Sequence, residues 1–197
     1  MYLSRPLREQ VVVLSKTYRQ IGDIEGTVVE CGVWKGATLS YLALLANREG
    51  KHRQVWGFDA FTPFTVPLLA AEPPPPIAPT LEYVHGRLDH AGWKNVELVP
   101  GLFCDTLPLA PPAPIAFLHL DCDVYSSYMD CLTNLWPRLS IGAVTVLDEY
   151  ASAKFFGAKR AVDDFLASLH PESYALVPDT RWYIVKQTQT IGEFDGT

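Results

Sequence analysis

Residues 28–46 read VVECGVWKGATLSYLALLA, an apolar run that breaks at Glu30-x-Gly32-x-x-x-Gly36 and resumes with helical spacing. Val28 and Val29 close a buried strand, and Leu39, Leu42, Ala43 and Ala46 recur at the period of one helix face. A strand that turns through glycines into a helix brings backbone close to a ligand and aims amide donors at it. Glu30 adds an acid at that turn for an amine or hydroxyl. The next strand-like run, VWGFD, ends on Asp59, where a carboxylate can accept hydrogen bonds from ribose hydroxyls.

Working outward, helical and strand patterns alternate along the chain, which predicts an α/β domain with a mostly parallel sheet. Helices are expected over 5–21, 36–48, 80–91, from about 124 to 135, and 157–169. Strands are expected over 27–31, 54–58, 95–99, 115–121 and 143–150, the last following a Ser-Ile-Gly turn. Two final strands, near 174–177 and 182–186, suit an antiparallel hairpin at one sheet edge. Residues 60–79 are too rich in proline for regular structure; four consecutive prolines favour an extended, semi-rigid excursion. Such a loop is either plain surface or an overhang above a ligand site.

The 197 residues, 48% of them apolar, suit a single domain, 1–197, with an N-terminal helix in 1–25. No apolar run approaches the roughly 20 residues of a membrane helix, and the N-terminus lacks the pattern of a signal peptide. A net charge of −6 argues against a nucleic-acid footprint. Cys31, Cys104, Cys122 and Cys131 form no CxxC pair and fall in apparent core elements, so they read as buried thiols of a cytoplasmic protein.

Two acidic clusters stand at strand ends: Asp121 and Asp123 after IAFLHL, and Asp148 and Glu149 after AVTVL. Ligands collect at that edge of an open α/β sheet. If the two strands are neighbours, the carboxylates repel unless cations or protons lie between them. No Lys or Arg stands within either cluster, and a hard divalent ion such as Mg²⁺ fits oxygen donors of this kind. Asp123 also suits a helix N-cap. His119, flanked by Leu118 and Leu120, reads as an interior hydrogen-bonded histidine rather than a ligand. Trp34 either shields a ligand or packs on the sheet, and Asp163-Asp164 reads as a solvated helix face.

Taken in order, ECGVWKGATLS, VWGFDAF, VPGLFCDTLP, FLHLDCDVYSSYMDCLTNLWPRLSIGAVTVLDEY and GAKRAVDDF resemble the macrocin O-methyltransferase family, metal-dependent sugar methylases of the class I S-adenosylmethionine (SAM) fold. The resemblance implies a Rossmann-like, seven-stranded sheet with helices on both faces. It implies that Glu30, Gly32, Val33, Trp34 and Gly36 surround the methionine part of SAM, with Thr38 on its carboxylate. Asp59 would hold the ribose and Phe61 would flank the adenosine, while Gly101, Phe103 and Cys104 would pack around adenine. Asp121, Asp148 and Glu149 match the metal positions, and the resemblance implies that Asp121 would also be the catalytic base and a cofactor contact. Glu149 departs from the family's more usual aspartate. Only about 25 residues precede the first strand, where relatives carry a longer segment over the acceptor.

The implied reaction is transfer of the SAM methyl group to a hydroxyl of a sugar or other vicinal diol, on a saccharide or glycosylated natural product. Catechol methylases place a lysine three residues after the matching aspartate; here that position is Val124. The alternatives are a catechol-type O-methyltransferase, which the absent lysine disfavours, then a non-catalytic SAM-binding protein, then a glycosyltransferase using Asp121-Cys122-Asp123 as a DxD element. The first helix would pack on its own sheet or support a homodimer.

Overall fold

Every residue of IAFLHL is buried, and so are all but the first of TVVEC, the burial expected of parallel strands covered on both faces. These are β4 (Ile115–Leu120) and β1 (Thr27–Cys31) of a seven-stranded sheet. The others are β2 (Val55–Asp59), β3 (Val96–Pro100), β5 (Leu139–Leu147), β6 (Tyr174–Val177) and β7 (Trp182–Lys186). Their order is β3-β2-β1-β4-β5-β7-β6. Strands β1 to β5 run parallel, whereas β7 lies antiparallel to β5 and β6 antiparallel to β7. The computed structural model describes residues 5–51, 53–63, 66–73, 79–109 and 114–188.

Helices cover both faces. On one lie α1 (Arg5–Tyr18), α2 (Ala37–Arg48) and α3 (Leu81–His90), which pack Val13, Leu14, Leu39, Leu42, Val84 and Leu88 onto Val28, Val55 and Val144. On the other lie α4 (Phe103–Thr106), α5 (Tyr125–Leu135) and α6 (Phe156–Ala167). Tyr128, Leu132, Ala158, Val162 and Phe165 from that layer meet Val29, Leu118 and Leu147. The buried residues of α2 follow the i, i+3, i+4, i+7 spacing that predicted them, and those of α6 show the same period. The apolar face of α1 is used against its own sheet, although Val12 remains 65% exposed.

Strand β5 begins four residues before the expected 143, because the buried Leu139 already pairs with Ile115. Its ladder then slips, so that Phe117 pairs with Val144. Ser140, Ile141 and Gly142 therefore form an irregular stretch inside the strand rather than a turn before it, with Gly142 at φ 83°. Asp148 and Glu149 lie just beyond the strand.

The described part of the 60–79 segment is docked. Glu72, 7% exposed, accepts from the Leu69 amide at 2.9 Å and, through its other oxygen, from the Tyr125 amide at 2.7 Å. Ser126 donates to the Pro67 carbonyl at 2.8 Å. The loop thus caps the N-terminus of α5 from outside the helix. This corrects the expectation for Asp123: the residue at the cap position is Val124, with no side-chain cap of its own. Three of the four consecutive prolines lie outside the described residues.

Among the described residues no helix is long and apolar enough to cross a membrane. Cys31, Cys122 and Cys131 are buried free thiols, but Cys104, expected in the core, is exposed on α4.

Candidate active site at the sheet switch point

The chain steps outward from β1 through β2 to β3 and then returns to β4 on the other side of β1. The crevice between β1 and β4 is therefore the switch point of the sheet, where ligands of this architecture bind. Gly32 follows β1 at φ 92°, and a Cβ there would lie 1.8 Å from the Asp121 carbonyl oxygen. Only glycine permits so close an approach of the two strand ends. The ladder continues past both strands, with the Asp121 amide on the Cys31 carbonyl at 3.0 Å and the Gly32 amide on Phe58 at 2.9 Å.

Asp59 shapes the turn from β2. Its Oδ2 accepts from the Val33 and Trp34 amides, each at 2.9 Å, and its Oδ1 accepts from the Phe61 amide at 3.2 Å. One carboxylate thereby fixes two loops, with acceptor capacity left on Oδ1. Trp34 (φ 49°), Phe61 (φ 52°) and Asp123 (φ 64°) are left-handed non-glycine residues on this one edge, a concentration of backbone strain characteristic of ligand sites. Trp34 stands 42% exposed at the rim while Val33 packs inward. Gly36 begins α2 at φ 74°, Thr38 sits in its first turn, and Gly101 donates to the Asp59 carbonyl at 3.0 Å. Gly101, half-buried Phe103 and exposed Cys104 lie past β3, next to Asp59.

The acidic residues converge because β4 and β5 are neighbours and the Asp148 amide bonds the Leu120 carbonyl at 2.9 Å. Donor atoms of His119, Asp121 and Asp148 all lie within 4.8 Å of one another. His119 is interior and hydrogen-bonded: its Nδ1 meets Glu30 Oε1 at 2.9 Å, in register across β1 and β4. Its Nε2 has no hydrogen-bond partner among the described residues and lies 3.9 Å from Asp148 Oδ1. Glu30 is accordingly a fully buried strand residue, set back from the turn, with Oε2 also unpartnered. Glu149, 4% exposed, is held by Tyr128, whose hydroxyl donates to Oε2 at 2.6 Å.

Two partners come from remote segments. Gln10 on α1 donates to Asp148 Oδ1 at 3.2 Å and Asp121 Oδ2 at 3.4 Å, and receives the Thr38 hydroxyl at 3.5 Å. Arg181, before β7, donates from Nε to Asp148 Oδ1 at 2.8 Å. The sequence clusters contain no cation of their own, yet the fold delivers one. Tyr128 carried the one legible signal, since it shares the buried face of α5 with Cys131, Leu132 and Leu135 and a buried phenol needs a partner.

These surroundings push the acids apart. Burial and the Asp148 charge raise the proton affinity of Asp121, while burial with the Asp121 and Asp148 charges lifts Glu149 well above the carboxylate range. Asp148 overcomes its burial through His119 and Arg181 and is held low. Burial and Asp121 raise Asp123 to about 7, and burial raises Glu30 to about 7. Burial opposes the His119 charge, but Asp148 and Glu30 outweigh it and lift the imidazole to about 10. Closely set carboxylates beside an unpartnered imidazole nitrogen have the donor chemistry of a divalent-metal site. The two glycines at strand ends and the free capacity of Asp59 likewise fit a nucleoside-bearing ligand.

The profile of the family described as Macrocin-O-methyltransferase (TylF) matches residues 9–76 and 80–171. The chain is 34% identical over 143 residues to 8-demethyl-8-(2,3-dimethoxy-alpha-L-rhamnosyl)-tetracenomycin-C 4'-O-methyltransferase of Streptomyces olivaceus, covering 65% of this chain and 54% of that protein. It is 31% identical over 160 residues to demethyldecarbamoylnovobiocin O-methyltransferase of Streptomyces niveus, covering 74% and 60%. The chain thus spans rather more than half the length of these relatives. The fold matches the O-methyltransferase NovP with a TM-score of 0.76 at 25% identity, over 91% of this chain and 80% of that one. It matches the calicheamicin methyltransferase CalS11 at 0.78 and 23% identity, over 93% and 80%.

Proposed function

The chain belongs to the macrocin-O-methyltransferase family, and from that premise we propose that it is a SAM- and divalent-metal-dependent O-methyltransferase acting on a sugar hydroxyl of a glycosylated natural product. The observation that carries this reading is the set of partly buried acids at the switch point, beginning one strand from the glycine turn at β1 and two from Asp59 at β2. The names of the relatives, which include a rhamnosyl acceptor, support a sugar as the acceptor. The four free cysteines suit a reducing cytoplasm.

Gly32, Trp34 and Thr38 at the glycine turn would receive the methionine part of SAM, with Glu30 and Val33 buried behind them. Asp59 takes the ribose, and Phe61, Gly101, Phe103 and Cys104 border the adenosine. Asp121, Asp148 and Glu149 would hold the metal, with His119 Nε2 beside them. A bound divalent ion lowers the pKa of a hydroxyl and fixes its oxygen. The residues do the rest. Tyr128 orients Glu149, and Gln10 and Arg181 set the Asp121–Asp148 pair. Asp121 would accept the proton of the acceptor hydroxyl. The oxygen forms its bond to the methyl carbon as the carbon–sulfur bond breaks, leaving a methyl ether and S-adenosylhomocysteine. Holding oxygen and methyl in line contributes up to about 7–11 kcal/mol.

The test is methyl transfer from SAM to a rhamnoside diol, followed by mass spectrometry with Mg²⁺ or with chelator. Asp121→Asn should lower turnover by roughly 10²-fold or more, the worth of a lost general base. Undiminished transfer under chelation would remove the metal from the reading, and undiminished transfer by Asp121→Asn would remove the base.

A further inference from the structure

Beside Asp148 and Glu149, on the side away from the glycine turn, lies a cavity of about 400 Å³ walled by Tyr150, Ala151, Phe156, Lys159 and Trp182. We propose that this cavity binds the apolar, flat aglycone attached to the sugar that is methylated; the inference rests on the methyltransferase reading above and names the part of the acceptor that the acids do not hold.

Continuity places it there. Tyr150 directly follows Glu149, and Trp182 directly follows Arg181, whose Nε lies on Asp148. Trp182 pairs in register with Leu147 at the end of β5. Along the sheet edge the order is Asp59 at β2, the glycine turn at β1, the acids at β4 and β5, and the cavity at β5 and β7. With neighbouring strands roughly 4.8 Å apart, a sugar hydroxyl at the acids leaves its glycosidic substituent within reach of the cavity.

The chemistry of the wall chooses the occupant. A sugar needs many hydrogen-bond partners, and this wall is almost wholly apolar. An aromatic or polyketide-like face needs flat apolar surface, and the volume falls within the range of small-molecule sites. The rings are also set in place beforehand. The Tyr150 hydroxyl donates to Asp163 at 2.7 Å, and its ring lies 5.0 Å from that of Trp182 at 46°. The Lys159 ammonium stands 5.0 Å from the Tyr150 centroid while paired with Asp163. Phe156, 38% exposed at the start of α6, forms the free side of the wall. A prearranged aromatic wall loses little freedom when a ligand docks.

The experiment is calorimetric titration of the full chain, with and without SAM, using 4-nitrophenyl α-L-rhamnopyranoside and methyl α-L-rhamnopyranoside as probes. The nitrophenyl glycoside should bind roughly tenfold more tightly, the scale of one aromatic anchor. Phe156→Asp should abolish that preference, and Phe156→Tyr should retain it. Both variants should leave SAM affinity unchanged. Equal binding of the two glycosides, no binding of either, or a preference that survives Phe156→Asp would each overturn the proposal. Absence of SAM binding would overturn the methyltransferase reading instead, and the glycoside preference measured without SAM keeps the two failures apart.

Discussion

At the scale of single residues, the site is governed by partners that burial forces on polar groups. Glu30 and His119 are both fully buried and hydrogen-bond each other on adjacent strands. The pair predicts a pH dependence whose sign is definite. The folded protein holds the His119 proton more tightly than the usual 6.5, up to about 10, so this contribution to stability is complete below pH 6.5. It is lost as the pH rises towards 10. Glu30, raised from 4.5 to about 7, acts in the same direction over its lower range. The melting temperature of chelator-treated protein should therefore fall from pH 6.5 to 10, and His119→Gln should flatten the fall; an equally steep profile in the variant would refute the assignment. His119 was readable as interior because it sits between leucines on a core strand. Its partner was not, since the β1–β4 register is a property of the whole sheet. Gln10 and Arg181 were equally illegible: Gln10 and Asp148 lie 138 positions apart, and spacing carries no information over such a separation.

At the scale of elements, the strand–turn–helix unit opening at β1 was readable almost residue by residue, because the switch from buried strand to helical period is local. Its glycine carries a severe steric demand. Gly32→Ala combines a positive φ with a Cβ driven into the Asp121 carbonyl, so it should destabilise by roughly 3 kcal/mol or more and separate the ends of β1 and β4. Chemical denaturation measures this, and a near-native midpoint would show that the strand ends need not approach. The proline-rich segment was legible only as irregular. Its docking depends on Glu72, which caps α5 across 53 positions. Glu72→Ala should cost roughly 1–2 kcal/mol, as loss of a helix cap does. Amide exchange should accelerate at Tyr125 and Leu69; protection unchanged at both would deny the cap.

At the scale of the molecule, alternation of strands and helices pointed to the parallel sheet, and the two short final strands to the edge hairpin. The hairpin's functional contribution was hidden until β7 closed against β5, bringing Arg181 to Asp148 and Trp182 to the rim of the cavity. The sheet order then sets out a line of chemistry along one edge, from Asp59 through the glycine turn and the acids to the aromatic wall. That edge accounts for the acceptor and the methyl donor only if the β1–β2 end is a SAM site. The most direct measurement is calorimetric titration of SAM into the native chain and Asp59→Ala, each with Mg²⁺ and with chelator. Micromolar binding by the native chain that disappears in Asp59→Ala is the predicted result, the variant losing both the ribose acceptor and the clasp on Val33 and Trp34. No heat from the native chain under either condition, or unchanged affinity in Asp59→Ala, would contradict the assignment of this edge as the SAM site.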